Sequence, residues 1–519
     1  MPSKLIKNFY KISLFFPILL YFGKRSYLSY DEGFYALQAR WIIENKNWLI
    51  PTWWNDYTLD RTIGIQFLIA KSQVLFGMSP FAAHLPITIA AALMIFITFK
   101  LHQELIHHQE AIFSAVILST TYLWLNFAHL ATQDIIFALL VNIGIFSFIK
   151  LSNKKEPLYL FLFGAWIGLA FLMKTFFVFI PIFTILPFLF FKRDILLHKS
   201  FWIGLFLGFI PFIIWAISID QYIEKNIIFF LFDKLNNLSS QNTFTNPFYF
   251  YLWNIPINFL PWSLFSILGL IFNSRNLKKV NSILIFYPIL FIFLISLFST
   301  KTPYYALPIA SLLSLNAYIG IKEIIKSNSL KFVFKIFGTR LIPLLIFLIL
   351  GTYFFTFRKS FSLNSKEEFL LILGLTLFSF SWLIINRVHK PKYILFLLIL
   401  GPYLLTTSIV QSGLITDRSR ETRESLEHFF SKNNLSNEVI MVNKNDIENS
   451  NLHSKIIKIS LLTPKLGKGI NSLSELKNSE YAWSTLNNSL AKENFYYKIV
   501  FTDKTISPWK LIQKKYKNN

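Results

Sequence analysis

Residues 158–191 read LYLFLFGAWIGLAFLMKTFFVFIPIFTILPFLFF, two apolar runs separated by one charged residue, Lys174. Each run approaches the length, roughly 20 residues, that an α-helix needs to cross the hydrocarbon core of a bilayer. Almost no loop separates the two runs. The stretch therefore predicts two consecutive transmembrane helices, with Lys174 at the membrane boundary between them.

Similar apolar blocks recur along the first 412 residues. The composition agrees with them, because 54% of the 519 residues are hydrophobic and only 15% are charged, against about 25% charged in a soluble domain. We predict an α-helical polytopic membrane protein with about thirteen transmembrane helices, which excludes a soluble enzyme. The predicted spans lie near residues 9–23, 81–101, 111–128, 134–150, 158–173, 175–191, 201–219, 256–272, 281–298, 303–321, 341–357, 367–385 and 393–411.

The basic residues predict the orientation. The formal net charge is +24, and many of the Lys and Arg residues fall in short loops on one side of the predicted membrane. By the positive-inside rule this side is cytoplasmic, and the N-terminus lies on it. The C-terminal residues then lie outside. The excess of basic residues is thus explained by the membrane topology, and we predict no nucleic-acid partner.

The predicted division of the chain is a transmembrane domain over 1–412 and a small extracytoplasmic α/β domain over 413–519. A first outer loop, about 24–80, begins with an amphipathic helix over Asp31–Glu44. A second outer loop, about 220–255, is polar and is either a lid over a site or a plain connector. Within the C-terminal domain we predict a helix at Asp417–Lys432 and strands at Glu438–Asn443, Lys455–Leu462 and Tyr496–Asp503.

Acidic residues gather on the predicted outer side. Asp31 and Glu32 open the first-loop helix, where a carboxylate would act as a general base on a hydroxyl group or merely complement the helix dipole. Asp134 begins the fourth span and is a second candidate acid, or a helix cap. Ionisable groups close to the hydrocarbon are costly and often functional.

Cations lie on the same predicted side. Lys174, Lys301 and Arg61 would suit a phosphate if the fold gathered them, whereas isolated lysines at a boundary usually extend to the lipid headgroups. Asp60 precedes Arg61 and is either half of an ordinary surface pair or a metal ligand. A converging set of acids and cations would suit a substrate with a lipid tail and a phosphate. Nucleotide-binding and zinc-protease motifs are missing from the sequence.

The chain resembles the class C membrane glycosyltransferases that use polyprenyl-phosphate sugars, including bacterial aminoarabinose transferases and protein O-mannosyltransferases. The similar segments follow one order over roughly residues 10–320: Tyr30–Ala36, Trp48–Pro51, Leu75–Gly77, Phe81–Pro86, Ala131–Asp134, Lys174, Phe259–Ser263 and Lys301–Pro308. The resemblance implies an inverting transfer of a sugar from undecaprenyl phosphate to a glycolipid of the lipid A type, another glycan or a protein.

The resemblance also implies residue roles. Asp31 and Glu32 form the first-loop acidic motif, with Asp31 as the base or as the carboxylate that orients the acceptor, and Asp134 orients the acceptor or the sugar. Lys174, Arg61 and Lys301 would stabilise the donor phosphate, and Tyr305 would contact the donor head. No cofactor is firmly implied, and a divalent metal is left open with Asp60 as its candidate ligand.

Two departures from the family bear on the metal and the acceptor. Asp60–Ile63 stands where the family often has Glu-Lys-Pro-Pro, and no His precedes Pro247–Tyr249. A metal site that used that His, and lipid A as the acceptor, are therefore less firmly implied. The alternatives are a transporter or flippase of polyprenyl-linked substrates, which would place charges within its spans, and an inactive scaffold on the same fold.

Overall fold

A computed structural model describes residues 18, 21–54, 56–106, 110–151, 156–240, 245–275, 282–353, 365–433, 435–447, 450–485 and 495–516. These residues are mostly helical. In chain order the helices are α1 Glu32–Glu44, α2 Gly64–Phe76, α3 Pro80–Leu105, α4 Ala111–Ser119, α5 Tyr122–Phe127, α6 Asp134–Leu151, α7 Pro157–Lys174, α8 Phe179–Leu189, α9 Lys199–Ile223 and α10 Ile227–Ser240. They continue as α11 Phe250–Asn258, α12 Ser263–Ser274, α13 Ser282–Ser296, α14 Ala310–Lys326, α15 Asn328–Ile336, α16 Ile342–Thr352, α17 Ser365–Ile384, α18 Pro391–Ser412, α19 Arg420–Lys432 and α20 Ser450–Leu462.

Eight helical segments within the described residues are long and apolar enough to cross a membrane. A ninth is reached if α11 and α12, which are bent by 115° at their junction, count as one broken span. Helix α13 is apolar but shorter. The eight segments are Pro80–Leu105, Asp134–Leu151, Pro157–Leu197, Lys199–Ile223, Pro303–Lys326, Lys331–Thr352, Lys366–Arg387 and Pro391–Ser412.

The chain is therefore a multi-pass membrane protein, and several predicted spans correspond to different elements. Most of the predicted span 9–23 lies outside the described residues. The predicted span 111–128 is two short helices, because Thr121 starts a new helix by accepting a hydrogen bond from the Trp124 N–H at 3.2 Å. The predicted span 256–272 coincides with the bent pair.

The described chain forms two compact units. One comprises 1–23, 60–62 and 87–415, and the other comprises 24–59, 63–86 and 416–519. The predicted division placed the whole first outer loop with the transmembrane domain. In the structure most of that loop clusters instead with the C-terminal residues, because they share one hydrophobic core.

Small residues bring helices α7 and α9 of the helical unit together. A Cβ atom placed on Gly168 would lie 2.3 Å from the Gly208 carbonyl carbon, and one on Gly164 would lie 2.1 Å from the Phe201 carbonyl oxygen. The glycines of both helices are four residues apart and share one face, the spacing that lets membrane helices pack backbone to backbone. This contact fixes the position of α7 against α9.

The second unit contains a two-stranded hairpin and a five-stranded sheet. The hairpin strands are β1 Thr52–Trp53 and β2 Asp56–Tyr57. The sheet strands are β3 Val439–Asn443, β4 Lys465–Ile470, β5 Tyr481–Ser484, β6 Phe495–Thr502 and β7 Lys510–Tyr516. The sheet order is β4-β3-β5-β7-β6, with β3 parallel to β4 and β5, and β7 antiparallel to β5 and β6. Its core combines Leu37, Trp41 and Trp54 with Leu426, Trp483 and Trp509.

The predicted strand at Lys455–Leu462 is wrong, since this segment belongs to helix α20. Its β-branched residues suggested a strand, yet the fully buried Ile456, Ile457 and Ile459 sit on a helix surface. Arg40 satisfies the end of this helix by donating to the carbonyl oxygens of Ser460 at 2.9 Å and Thr463 at 2.6 Å. Tertiary contacts thus determine the conformation of the segment.

The second outer loop is partly helical. Helix α10 has an apolar face and a polar face, and it exposes Ile228, Phe229 and Phe232. Such a helix suits the boundary between membrane and water. Residues 241–244 of this predicted loop lie outside the described residues.

Candidate functional site

Lys174 and Asp134 form an ion pair in the helical unit. The Lys174 Nζ atom lies 2.5 Å from Oδ1 of Asp134, and the two side chains are only 10% and 8% exposed. Asp134 is the first residue of α6 and Lys174 is the last residue of α7. An acid at a helix N-terminus and a cation at a helix C-terminus both complement the helix dipole. Because α6 and α7 pack side by side, the start of α6 lies beside the end of α7.

Aromatic rings surround the Lys174 ammonium group. Its Nζ atom lies 4.6 Å from the ring centre of Phe177, 4.8 Å from that of Tyr305 and 4.9 Å from that of Tyr304. Phe137, one turn after Asp134, is at 5.8 Å. Ring faces attract a cation, and more strongly where water is excluded. The site thus holds one ammonium group with one carboxylate and four rings, which we call the Lys174 box.

Tyr304 and Tyr305 reach the Lys174 box from a short 3₁₀ segment, Pro303–Ile309. Asn142 of α6 fastens this segment, because its side-chain amide donates to the Pro308 carbonyl at 3.0 Å and to the Ala138 carbonyl at 2.7 Å. Asn142 is fully buried. The two tyrosines are therefore held to the same helix that begins with Asp134.

The backbone is strained where α7 ends. Thr175 has φ 45° and ψ −131°, a region that residues with a Cβ atom rarely adopt. Directly after it, an apolar cavity of about 290 Å³ is lined by Phe176, Phe179, Ile180, Phe183, Leu235, Leu294, Leu297 and Phe298. The residues that follow the Lys174 box in the chain therefore line an apolar cavity.

Lys301 is buried and has its own partners. Its Nζ atom donates to the carbonyl oxygens of Phe298 at 2.5 Å and Asn246 at 2.8 Å. The Asn246 side chain returns a hydrogen bond to the Lys301 carbonyl at 3.2 Å. These contacts connect two loops, so Lys301 has a structural role. Its contact with a donor phosphate stays a prediction.

Asp60 and Arg61 form a two-point pair, with Nε and Nη2 of Arg61 at 3.0 and 2.8 Å from the Asp60 oxygens. Lys234 of α10 adds a third contact to Asp60 at 3.2 Å. Burial alone would raise the pKa of the Asp60 carboxyl, but Arg61 and Lys234 overcome this and lower it to about 2. Arg61 is thus already engaged with a carboxylate.

The surroundings of Asp60 are those of an ion pair rather than a metal ligand. Across the described residues no group of three or more His, Asp or Glu side chains is placed to hold a metal ion. Arg61 and Lys234, the two cations that contact Asp60, would also repel a metal ion. The donor set therefore does not fit the metal left open by the sequence.

Glu32 is buried in the second unit, with 1% of its side chain exposed. One carboxylate oxygen pairs with the Nε2 atom of the fully buried His84, and the other accepts the Leu28 N–H at 2.8 Å. Sequence reasoning quoted His84 in a motif but gave it no role. A buried and fully paired carboxylate has the surroundings of a structural residue.

Asp31, by contrast, is exposed at the start of α1. Its backbone has φ 53° and ψ −75°, and its side chain makes no capping hydrogen bond. A non-glycine residue in such a conformation costs about 1–3 kcal/mol, and strain of this kind is concentrated at functional sites. Of the two acids in the first-loop motif, Asp31 is therefore the exposed one.

The predicted site residues are distributed as follows. Asp134, Lys174 and Tyr305 are brought together in the Lys174 box. Arg61 and Lys301, in the same unit, are engaged in contacts of their own. Asp31 and Glu32 belong to the other unit, where sequence reasoning missed His84 and also His453, a lone histidine on α20 with no local motif to mark it.

Comparisons with known proteins agree with the resemblance. A family described as dolichyl-phosphate-mannose-protein mannosyltransferase matches residues 60–217. The undecaprenyl phosphate-alpha-4-amino-4-deoxy-L-arabinose arabinosyl transferase of Wigglesworthia glossinidia brevipalpis is 28% identical over 74% of this chain and 71% of its own.

Two solved structures share the fold. ArnT from Cupriavidus metallidurans, bound to undecaprenyl phosphate, is 13% identical, covers 99% of this chain and 98% of its own, and has a TM-score of 0.76. The Archaeoglobus fulgidus oligosaccharyltransferase tethered with an acceptor peptide is 13% identical, covers 90% of this chain and 64% of its own, and has a TM-score of 0.50. The relatives are transferases, which does not favour the flippase alternative. The chain is thus a membrane glycosyltransferase that resembles the class C enzymes using polyprenyl-phosphate sugars.

Proposed function

We propose that this enzyme moves a sugar from an undecaprenyl-phosphate-linked donor to an acceptor at the outer face of a bacterial inner membrane. The proposal includes about thirteen spans, a cytoplasmic N-terminus and a periplasmic C-terminal α/β region. The named relatives support undecaprenyl phosphate as the carrier and 4-amino-4-deoxy-L-arabinose as the first sugar to test. The acceptor is a glycolipid of the lipid A type, another glycan or a protein.

The observation that carries this proposal is the Lys174 box beside an apolar cavity. A polyprenyl phosphate has one anionic group at the end of a long apolar chain. Lys174 supplies the cation for the phosphate, and the cavity that begins at Phe176 supplies apolar walls for the chain. A charge-assisted contact of this kind is strong in a site shielded from water.

The roles of the side chains follow from the chemistry. Asp31 accepts the proton of an acceptor hydroxyl, and the hydroxyl oxygen forms a bond to the anomeric carbon. The bond from that carbon to the phosphate oxygen breaks, its electron pair stays on the oxygen, and the sugar inverts. Lys174 stabilises the phosphate that leaves, and Asp134 orients Lys174 until the donor arrives. Tyr305 contacts the donor head.

Deletion of the gene tests the function in the cell. Lipopolysaccharide, other glycolipids and glycoproteins of the deletion strain are compared with those of the parent by mass spectrometry. We expect one class of molecule to lose one sugar mass, which identifies both the donor sugar and the acceptor. Identical profiles under conditions in which the parent expresses the protein would contradict the proposal.

The Asp31→Asn variant tests the mechanism in proteoliposomes. We expect loss of transfer with unchanged membrane insertion. The control is Asp56→Asn, since Asp56 is a highly exposed acid of the same loop that forms an ion pair with Lys444 at 3.2 Å. Full transfer by Asp31→Asn would remove Asp31 from the role of base.

A further inference from the structure

Four rings cluster next to Asp31 within the second unit. The centre of the His453 ring of α20 lies 5.3 Å from that of Trp53 and 6.3 Å from that of Tyr30, with interplanar angles of 67° and 85°. The Phe34 ring centre lies 4.3 Å from that of Trp53. Tyr30 is the residue before Asp31, and Phe34 is one turn after it. His453 therefore stands between two rings of the first loop.

Close packing of α20 on the start of α1 places His453 here. A Cβ atom on Gly33 would come within 2.6 Å of the Ile457 side chain and 2.5 Å of the Leu28 carbonyl oxygen. Ile457 is four residues after His453 and hence on the same helix face. Glycine at position 33 is thus needed for the contact that brings His453 to Tyr30 and Asp31.

The cluster is open to solvent on one side. Tyr30 is 53% exposed, while Trp53, Phe34 and His453 are partly exposed. The Nε2 atom of His453 is shielded and has no hydrogen-bond partner among the described residues. Burial lowers the pKa of the His453 imidazole, which favours the neutral ring. The surface is therefore aromatic and uncharged, beside one exposed carboxylate.

A sugar ring fits a surface of this character. Its C–H bonds form an apolar face that can lie on the electron-rich face of an aromatic ring, and its hydroxyl groups extend from the edge. Binding sites for small polar molecules commonly combine apolar walls with few polar groups. A ring stacked on Tyr30 would also present a hydroxyl to the neighbouring Asp31. A phosphate would gain nothing from uncharged rings.

We propose that Tyr30 and Trp53 form the binding surface for a sugar ring of the acceptor, and that His453 is the positioning residue that holds these two rings in place. The inference rests on the proposed function, and it deepens it by selecting acceptors that carry a sugar at the reacting end. It also gives the C-terminal residues a role in acceptor binding, because His453 of α20 contacts the first-loop rings of Trp53 and Tyr30.

The test uses the full-length protein in proteoliposomes. The donor carries a radiolabelled sugar, and the acceptor is membrane from the deletion strain, which contains the unmodified acceptor whatever its identity. Initial rates are measured against acceptor at saturating donor, and against donor at saturating acceptor. The variants are Tyr30→Ala, Trp53→Ala, His453→Ala and His453→Phe. The control is Trp48→Ala, a first-loop aromatic that contacts Phe67 at 5.8 Å instead of this cluster.

We expect Tyr30→Ala and Trp53→Ala to raise the half-saturating acceptor concentration roughly five- to tenfold, since ring contacts are individually modest. The half-saturating donor concentration should not change. His453→Ala should raise the half-saturating acceptor concentration to a similar extent. His453→Phe should restore most of the acceptor affinity, because it keeps a flat ring against Trp53 and Tyr30. Trp53 also packs on the core, so Tyr30→Ala, whose ring is half exposed, remains informative if Trp53→Ala unfolds.

The inference and the proposed function fail differently. No labelled product from the wild-type protein would contradict the proposed function. Labelled product with unchanged acceptor half-saturation in Tyr30→Ala would overturn the inference alone, as would label found only on protein that carries no other sugar. Equal loss in His453→Phe and His453→Ala would remove the positioning role of His453.

Discussion

The Nζ atom of Lys174 lies 2.5 Å from Oδ1 of Asp134, where the C-terminus of α7 meets the N-terminus of α6. The cation that we assign to the donor phosphate is therefore neutralised by a carboxylate before a donor binds. A phosphate that approaches Lys174 has to compete with Asp134. This competition distinguishes the two residues experimentally.

Lys174→Ala and Asp134→Asn should change binding of undecaprenyl phosphate in opposite directions. Loss of the ammonium group should weaken binding by about 30-fold or more, as for other shielded charge pairs. Loss of the competing carboxylate should tighten it several-fold. Binding to detergent-solubilised protein measures both effects. Lys150→Ala is the control, since Lys150 forms a similar 2.6 Å pair with Glu104 at the other end of α6. Weaker binding in both variants would show that Asp134 supports the phosphate site rather than competing with it.

Asp31→Gly should separate stability from activity. Glycine tolerates φ 53° without a Cβ penalty, so the variant should be more stable by about 1 kcal/mol and yet transfer no sugar. Thermal unfolding and transfer rate are measured on the same preparation. The control is Lys46→Gly, an exposed residue with the same φ of 53°, which should gain stability and keep its activity. Retained transfer in Asp31→Gly would exclude Asp31 as the base.

Glu32→Ala should destabilise the protein by roughly 3–5 kcal/mol, because it leaves His84 buried without its partner. Glu32→Gln should cost less, since an amide can still bond to His84. Glu44→Ala is the matched control, as Glu44 pairs with Arg40 at 2.6 Å but is 26% exposed. Unfolding temperatures of the three variants test the expectation. A large loss of turnover in Glu32→Gln with no change in unfolding temperature would instead make Glu32 catalytic.

The ion pairs of Asp60 should persist to low pH. The folded-state pKa of about 2 lies below the ordinary value of 3.8, so the carboxylate contributes stability above about pH 4 and loses it as the pH falls towards 2. The difference in unfolding temperature between wild type and Asp60→Asn should be constant from pH 5 to 8 and shrink as the pH falls from about 4 towards 2. Because Asp60 is 31% exposed, high salt should reduce the difference. A difference that titrates between pH 5 and 7 would point to another group.

The sequence was most informative where one local signal determines one element. Uninterrupted apolar runs predicted α6, α7, α9 and α18 to within a few residues, because no other structure satisfies the backbone of such a run in lipid. The helix over Asp31–Glu44 was predicted equally well. Lys455–Leu462 was misread, because β-branched residues favour strands in isolation while packing against Trp41 and Trp483 in one core selects a helix.

The candidate site was predictable only in part for a related reason. That Asp134 and Lys174 lie near each other was predictable, because both were placed on the same side of the membrane at the ends of adjacent predicted spans. Nothing local indicates that Lys301 bonds to backbone carbonyls, that Lys234 contacts Asp60, or that Glu32 is buried against His84. These contacts join residues up to 174 positions apart, and only the folded chain brings them together.

The backbone contact between Gly168 and Gly208 has a consequence for how such enzymes diversify. Helix α7 cannot shift along α9 or tilt against it without a clash. The fold therefore fixes the position of the Lys174 ammonium group at the end of α7. Acceptance of a new donor sugar should then arise by exchanging rings of the Lys174 box, such as Tyr304 and Tyr305. A library restricted to those rings should therefore yield altered sugar preference more readily than one that alters the helices.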